Sequence, residues 1–274
     1  MNRARSVFIT GGGSGLGRAA AVRFARDGAR VAVCGRREGP LEETAVLARA
    51  AGAADVKTAI CDVRYEEDVA KMAASLHGEW GAFDVVVNNA AGNFVCPAEK
   101  LSPNGWRAVI EIVLNGTFFV SRAFGLGMID AHATDGKARS FVNVVADYAW
   151  GAGPGVIHSA SAKAGVLAMT RTLAVEWARF GIRANAVSPG PFRSEGTDRN
   201  LWLDETLAAE VRDSIPMRRF TTAEEVAEAV AFLADETRAA YVTGSCLPVD
   251  GGHWLTGTNL GFLGALARGQ TAKR

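Results

Sequence analysis

The strongest constraint on the fold is the glycine-rich run that follows the first apolar segment of the chain. Residues 6–10 read SVFIT, which is typical of a strand, and residues 11–17 read GGGSGLG. Helical periodicity then extends over residues 18–27. A glycine turn between a strand and a helix lets the backbone approach a pyrophosphate, whose charge the helix N-terminus attracts. The pattern therefore predicts a dinucleotide phosphate site rather than a plain connecting turn.

Strands and helices alternate along the rest of the chain. Further strands are predicted at residues 30–34, 56–60, 83–87, 141–145, 183–187 and 246–249, and helices at residues 41–51, 66–76, 102–129, 159–179 and 222–234. This order predicts an α/β fold, a Rossmann-like, doubly wound parallel sheet of six or seven strands with helices on both faces. The length of 274 residues suits a single domain, residues 1–274. Within it, residues 192–220 are interpreted as a substrate loop or lid, and residues 258–274 as a C-terminal tail.

Composition and charge narrow the class of partner. The net charge of +1 predicts no general attraction to nucleic acid or to an anionic membrane. The four cysteines are scattered, with no CxxC pair, which indicates buried thiols in a reducing compartment and no zinc site or disulfide frame. The first residues lack the apolar segment of a signal peptide, and no uninterrupted apolar run predicts a spanning helix. The last residues, TAKR, are not a peroxisomal address. We therefore expect a cytoplasmic protein.

The residues after the second strand bear on the choice of cofactor. Arg36 and Arg37 stand where an NAD-preferring site usually has an acidic residue for the ribose 2′-hydroxyl. Arginine suits a 2′-phosphate, so NADP(H) is the predicted cofactor. Solvated surface charges are the alternative interpretation. Asp62, at the end of the third strand, could accept from the adenine amino group or could be a turn residue.

Residues 142–163, VNVVADYAWGAGPGVIHSASAK, are the best candidate for the reaction site. A strand, a glycine-rich loop and a helix opening near Ser159 gather Tyr148, Ser159 and Lys163 at the carboxyl end of one strand. Open α/β sheets hold their ligands at that edge. We expect a hydroxyl residue near the N-cap of this helix, with Lys163 about one turn further on.

Other polar residues have open roles. Small residues in the run NNAAGNF, residues 88–94, suit close approach of a ligand to the backbone. Asn115 interrupts an apolar helical section, and its amide should bond backbone or water, in a structural or a catalytic role. His158, at the predicted helix start, is interpreted as a surface group in preference to a base.

Taken together, these motifs resemble the short-chain dehydrogenase/reductase family over nearly the whole chain. The matching pieces are TGGGSGLG (10–17), DV (62–63), NNAAG (88–92), Asn115, the helix with Lys163 and PGP (189–191). One departure is marked. The family's Tyr-x-x-x-Lys reads Ser159-Ala-Ser-Ala-Lys163 here, and Ala146 stands near the place of the usual serine.

Longer runs resemble a subfamily, the NADPH-dependent 2,4-dienoyl-CoA reductases. These runs are residues 88–103, 113–123, 158–169 and 173–191. In that subfamily the catalytic tyrosine lies fifteen residues before the lysine, which corresponds to Tyr148. The resemblance implies hydride transfer to C5 of a 2,4-dienoyl-CoA, protonation by solvent and a 3-enoyl-CoA product, an auxiliary reaction of fatty-acid β-oxidation. A loop aromatic of no catalytic importance is the alternative interpretation of Tyr148.

The resemblance also assigns roles to individual residues. Tyr148 and Asn93 would donate to the thioester oxygen, Lys163 would hold the nicotinamide ribose, and Ser159 would help to hold this network. The implied NADP(H)-binding residues are Gly11, Gly13, Ser14, Gly15, Leu16, Gly17, Arg36, Arg37, Asp62, Val63, Asn89, Ala90, Ala91, Lys163, Pro189, Gly190, Pro191 and Phe192. The implied acyl-CoA contacts are Arg64, Phe94, Ser102 and Arg199. The family implies a homotetramer.

Two competing functions remain open at this stage. One is a carbonyl reductase of the same family whose acid is Tyr148 or a water held by Ser159. The other is a non-catalytic dinucleotide-binding or assembly protein, suggested by the missing Tyr-x-x-x-Lys.

Overall fold

A seven-stranded parallel sheet forms the centre of the protein. The computed structural model describes residues 4–193 and 205–258. The strand order is β3-β2-β1-β4-β5-β6-β7, and every pairing is parallel. This confirms the predicted doubly wound parallel sheet, with seven strands rather than six. The strands are β1 (Ser6–Thr10), β2 (Arg30–Gly35), β3 (Asp55–Ile60), β4 (Val85–Asn88), β5 (Arg139–Val144), β6 (Ile182–Pro189) and β7 (Cys246–Val249).

Helices connect the strands and cover both faces of the sheet. They are α1 (Gly15–Arg26), α2 (Glu38–Ala50), α3 (Glu66–Trp80), α4 (Pro103–Ile110), α5 (Gly116–Asp135), α6 (Ile157–Glu176), α7 (Glu205–Ser214) and α8 (Ala223–Ala234). Short 3₁₀ turns lie at Ala98–Lys100, Asp147–Ala149, Ala178–Phe180 and His253–Thr258. Since both faces are covered, the strands are continuous apolar runs rather than alternating ones.

Successive side chains of β1 point into two separate cores. Val7 and Ile9 pack into the core beneath α1, α2 and α8, whereas Phe8 points to the opposite face. There the ring of Phe8 stacks on Phe124 of α5, with 4.1 Å between the ring centroids. Period-two alternation of this kind is the geometry of a strand buried on both sides. It holds the carboxyl end of β1 in a rigid frame.

The sheet reverses its strand order between β1 and β4. From β1 the chain proceeds outward through β2 and β3, and then returns to place β4 on the other side of β1. A crevice opens at such a switch point, outside the carboxyl ends of the strands. The loops after β1, β4, β5 and β6 all reach this edge.

Helix boundaries differ from the predicted ones at two places that matter for the site. Helix α1 begins at Gly15, inside the glycine run and three residues before the predicted start. Helix α6 begins at Ile157 and its N-cap is Val156, which makes no side-chain cap. The expected hydroxyl cap is therefore wrong, and Ser159 is free to bond elsewhere.

The long helix after Ser102 is also interrupted. Residues Glu111–Asn115 form one π-helical turn between α4 and α5. Within this turn the Asn115 amide donates to the Glu111 carboxylate at 2.8 Å, whereas backbone or water was the expected partner. π-Turns inside α-helices are frequent at functional sites.

One helix of the described residues is long and apolar enough to span a membrane. By length and composition alone, Pro103–Asp135 passes that test with a mean hydropathy of 1.5. The sequence has no unbroken apolar run here, and a helix with scattered polar residues meets the criterion without one. The core helix of a soluble protein passes the same test, and Val120, Phe124 and Met128 are buried against the sheet.

The predicted division into a lid and a tail stays a prediction. Helix α7 lies inside the predicted lid, residues 192–220, for which no helix was predicted. Arg199 and residues 259–274 lie outside the described part of the chain.

Candidate active site

A cavity of about 700 Å³ opens at the carboxyl edge of the sheet, at the switch point between β1 and β4. Most of the predicted cofactor residues line it, together with all four predicted catalytic residues. The predicted residues in its wall are Gly11, Gly13, Ser14, Gly15, Leu16, Arg36, Arg37, Asp62, Val63, Asn89, Ala90, Ala91, Asn93, Tyr148, Ser159, Lys163, Pro189, Gly190, Pro191 and Phe192. Tertiary folding therefore gathers these separate motifs around one space.

The glycine turn has the shape of a phosphate cradle. Gly11 has φ +64° and Gly15 has φ +49°, which side-chain-bearing residues rarely adopt. A Cβ on Gly12 would lie 2.5 Å from Val33, and one on Gly17 would lie 2.3 Å from the Gly11 carbonyl oxygen. Gly17 therefore packs behind the cradle and does not line the cavity. The turn leaves space above the first turn of α1, where backbone N–H groups attract an anion.

Thr10 and Asn89 tie the cradle to β4. The Thr10 hydroxyl accepts from the backbone N–H groups of Asn89 and Ala90, both at 2.9 Å. The Asn89 amide donates back to the Thr10 carbonyl oxygen at 3.0 Å. These bonds hold the carboxyl ends of β1 and β4 together at the wall of the cavity.

Charged residues surround the end of the cavity next to β2 and β3. Arg36 and Arg37 are exposed and line it. The Arg64 guanidinium pairs with Asp62, with 2.5 Å between Nη2 and Oδ2. This pairing, assisted by the charge of Arg36, holds the pKa of Asp62 below its usual range. Asp62 is thus an ionised acceptor, and Arg64 bonds to it beside the cavity instead of lining the cavity.

Tyr148 is the centre of a hydrogen-bond network at the opposite end. Its hydroxyl lies 3.1 Å from the Ser159 hydroxyl and accepts from the Asn93 amide at 3.3 Å. Asn93 follows β4, Tyr148 follows β5 and Ser159 is in the first turn of α6, so three elements supply one cluster. Burial raises the pKa of Tyr148, although the bonds from Ser159 and Asn93 oppose the shift. The phenol is therefore a neutral donor at physiological pH.

Lys163 lies one turn beyond Ser159 on α6 and is buried. Its ammonium donates to the Val144 carbonyl oxygen at 2.5 Å, which fixes it under the end of β5. Burial lowers the pKa of Lys163 to about 8, because a charged amine loses its hydration there. An anionic ligand in the cavity would favour the protonated form.

Two predicted substrate residues lie beside the cavity and do not line it. The Phe94 ring packs on His158, with 4.4 Å between ring centroids. Ser102 is the N-cap of α4 and accepts from the Gly105 N–H at 3.1 Å.

His158 is fully buried, so its interpretation as a surface group is wrong. The side of the first turn of α6 that carries His158 faces the loop after β4.

The sequence reasoning missed His253, which lines the cavity next to Tyr148's turn. Its Nδ1 lies 3.0 Å from Oδ2 of Asp147. A signal was present, since His253 directly follows the Asp250-Gly-Gly run at the end of β7, a strand predicted to end at the ligand edge. Ile112, Pro154 and Val211 add apolar wall that no motif had indicated. Within the described residues, no three His, Cys, Asp or Glu side chains gather as metal ligands would.

Known proteins of similar sequence match most of the chain. A family model described as enoyl-(acyl carrier protein) reductase matches residues 11–253. A probable 2,4-dienoyl-CoA reductase of Bacillus subtilis, named as (2E)-enoyl-CoA-producing, is 47% identical over 92% of this chain and 97% of its own length. The peroxisomal 2,4-dienoyl-CoA reductase of Danio rerio, named as (3E)-enoyl-CoA-producing, is 37% identical over 92% of this chain and 82% of its own.

Solved structures give the same result for the fold. A short chain dehydrogenase from Bacillus anthracis is 45% identical, with a TM-score of 0.79 over 91% of this chain and 96% of its own. A 3-ketoacyl-(acyl-carrier-protein) reductase from Brucella melitensis, complexed with NADH, is 27% identical, with a TM-score of 0.82 over 91% and 98%. A protein from Beutenbergia cavernae with bound NADP at low occupancy is 34% identical, with a TM-score of 0.85 over 93% and 98%.

Proposed function

Since this chain belongs to the short-chain dehydrogenase/reductase family, is an oxidoreductase and is similar to 2,4-dienoyl-CoA reductases, we propose that it reduces a 2,4-dienoyl-CoA with NADPH. The observation that carries the proposal is the meeting of Tyr148, Asn93 and Ser159 at one end of a dinucleotide-sized cavity. The usual tyrosine of the helix is replaced by Ser159, and the phenol from the preceding loop reaches that same serine.

The cradle fits a dinucleotide phosphate, because Gly11, Gly13 and Gly15 line the cavity without side chains next to the first turn of α1, where backbone N–H groups attract an anion. Arg36 and Arg37 would hold the 2′-phosphate of NADPH, and Lys163 would hold the nicotinamide ribose. When bound, NADPH supplies the hydride that C5 of the dienoyl thioester accepts. The choice of NADPH over NADH rests on the two arginines that directly follow the apolar part of β2, where an NAD-preferring site usually has an acidic residue.

Tyr148 and Asn93 would stabilise the charge that develops on the substrate. Reduction at C5 moves an electron pair through the conjugated system onto the thioester oxygen. Donors aimed at that oxygen lower the barrier more than they stabilise the ground state. The phenol is kept neutral by burial and the amide is a permanent donor, so both donate over a broad pH range. Ser159 would orient the phenol.

Protonation of the dienolate completes the reaction and determines the product. A solvent proton on C2 gives a 3-enoyl-CoA, which is the product we propose, whereas a proton on C4 gives a 2-enoyl-CoA. The names of the two relatives differ in this respect. In this proposal Tyr148 and Asn93 donate to the thioester oxygen, so the proton on carbon comes from solvent.

Self-association is a further part of the proposal. Phe118 and Leu126 on α5 are each 49% exposed, and Val175 on α6 is 80% exposed. Exposed apolar side chains on these two helices favour burial against another copy, and a homotetramer is the proposed state. Light scattering coupled to size-exclusion chromatography tests it. The cytoplasmic location expected from the sequence stands as a proposal too.

The deciding experiment is an NADPH oxidation assay at 340 nm with 2,4-hexadienoyl-CoA, followed by NMR location of the double bond in the product. We expect turnover and a 3-enoyl-CoA. Turnover with a double bond at C2 would correct the site of protonation but keep the reaction. NADPH oxidation by simple ketones without dienoyl-CoA activity would select a carbonyl reductase. Tight NADPH binding with no turnover on either would indicate a non-catalytic protein.

A further inference from the structure

We propose that His253 is a positioning residue that holds Tyr148 in place through the carboxylate of Asp147. The inference rests on the proposed function, since it assumes that the Tyr148 hydroxyl is the donor to the substrate. His253 comes from the far end of the chain, after β7, whereas Asp147 and Tyr148 follow β5.

The Asp147 carboxylate bridges the histidine and the tyrosine. One oxygen, Oδ2, lies 3.0 Å from Nδ1 of His253. The other, Oδ1, accepts from the backbone N–H of Tyr148 at 2.9 Å. A side chain that bonds at both oxygens has little rotational freedom, so the position of His253 is transmitted to the backbone of Tyr148 itself.

The segment that carries His253 is itself held firmly. Asp250 is 7% exposed, and its carboxylate oxygens accept from the N–H groups of Gly252 and Trp254, both at 2.9 Å. A Cβ on Gly190 would lie 2.5 Å from Cα of Asp250, so this segment packs directly on the loop after β6. His253 is therefore anchored to the sheet edge that carries the cofactor loop.

A second contact joins the same two segments. The rings of Trp150 and Trp254 meet edge to face, with 5.9 Å between centroids and 88° between planes. Tyr148 thus lies between two residues, Asp147 and Trp150, that both contact the segment after β7. Paired contacts of this kind restrain rotation as well as translation of the turn.

The tyrosine needs such restraint because no α-helix carries it. It lies in a single 3₁₀ turn, Asp147–Ala149, and the loop that follows contains Gly151, Gly153 and Gly155. Glycines give that loop many accessible conformations. A displacement of the phenol by about 1 Å can cost as much as ~10²-fold in rate.

The charge of the pair follows from its surroundings. The carboxylate of Asp147, on the 3₁₀ turn, and that of Asp250, on the histidine's own segment, face His253 and raise its pKa above the usual range. Below that pKa the contact is a charge-assisted hydrogen bond, and above it a neutral imidazole donates more weakly. The restraint on Tyr148 is therefore strongest in mildly acidic to neutral solution and weakens as pH rises.

The test compares His253→Leu, which removes the donor, with His253→Asn, which keeps an amide donor near the place of Nδ1 and does not titrate. His132→Asn, on α5 away from the cavity, is the matched control. We expect His253→Leu to lower kcat by about 10- to 100-fold while the Kd for NADPH stays within about twofold. His253→Asn should recover most of kcat. The kcat of the wild type divided by the kcat of His253→Asn should decrease as the pH is raised from 6 to 9. Taking this ratio cancels the titration of Lys163, which both proteins share.

Asp147→Asn provides the second arm. If the histidine acts through the carboxylate, combining Asp147→Asn with His253→Leu should cost little more than either substitution alone. Wild-type kcat in His253→Leu, additive losses in the double variant, or a pH-independent wild-type to His253→Asn ratio would each overturn the inference while leaving the proposed function intact. A wild-type protein that turns over no dienoyl-CoA would overturn both.

Discussion

The phenol oxygen of Tyr148 lies 3.1 Å from Oγ of Ser159, eleven residues further along the chain. Ser159 occupies the position on α6, four residues before Lys163, where the family usually has its tyrosine. The Tyr148 hydroxyl, which comes from the loop after β5, therefore contacts the first turn of α6. A phenol from the loop after β5 thus contacts the serine that stands at the family's usual tyrosine position.

Replacing Tyr148 with Phe removes one hydroxyl from this network. Loss of one oxyanion donor typically costs about 10²–10³ in kcat, and we expect a fall in that range with 2,4-hexadienoyl-CoA. NADPH binding, followed by fluorescence titration, should persist because the cradle is untouched. Tyr241→Phe is the matched control, since that tyrosine is fully exposed. Turnover like that of wild type in Tyr148→Phe would exclude the phenol as the donor.

Reversing the charge at Arg36 tests the choice of cofactor. Arg36→Asp removes a partner for the 2′-phosphate and adds repulsion, so the Kd for NADPH should rise far more than the Kd for NADH. Arg49→Asp makes the same change of charge on the exposed side of α2, away from the cavity, and should affect neither value strongly. An equal loss of affinity for both cofactors would remove Arg36 from the 2′-phosphate site.

Burial of Lys163 predicts a pH dependence of stability. Its pKa is lowered to about 8 in the folded protein, while the unfolded chain keeps an ordinary lysine. Between pH 8 and about 10.5 the unfolded state binds more protons than the folded state. The free energy of unfolding of the wild type therefore rises by up to about 1.4 kcal/mol per pH unit relative to that of Lys163→Met. The lost bond to Val144 adds an offset that does not change with pH. Urea unfolding of both proteins without cofactor, at pH 7.5 and 9.5, measures the difference.

Lys71→Met, at an exposed lysine of α3, is the control for that measurement. A stability difference between wild type and Lys163→Met that stays constant from pH 7.5 to pH 9.5 would contradict the buried position of the ammonium.

Two glycine substitutions should act in opposite directions. In Gly17→Ala the new methyl would lie 2.3 Å from the Gly11 carbonyl oxygen, so the cradle must distort and both NADPH affinity and stability should fall. Gly78 lies within α3 with nothing within 4 Å of a Cβ built on it. Gly78→Ala should raise the free energy of unfolding by roughly 0.5–1 kcal/mol, because alanine favours a helix. Thermal unfolding with and without NADPH measures both effects, and unchanged NADPH affinity in Gly17→Ala would argue against the cradle.

Much of the fold was predictable because its signals are local. The strand, glycine turn and helix of residues 6–27 are adjacent in the chain, so their periodicity and glycine content alone predicted the cradle. Alternating apolar segments predicted the parallel sheet, and sheet topology then placed the loops after β1, β4, β5 and β6 at one edge. The predicted helix starts were less accurate where they depend on distant parts of the chain. The N-terminus of α6 depends on packing against the loop after β4 and not on a capping residue.

By itself, the sequence determined which residues stand at the ends of the strands and therefore which residues could reach the ligand edge. Only the tertiary structure decided which of them touch. The contact of Tyr148 with Asn93, the bond between His253 and Asp147, and the pairing of Arg64 with Asp62 at the cavity's edge all depend on side-chain directions and loop paths. The first two also join segments far apart in the chain. Periodicity reports on neighbours within a few residues, whereas a hydrogen bond requires two atoms within about 3 Å. That precision arises only when the core has packed and the loops have closed over it.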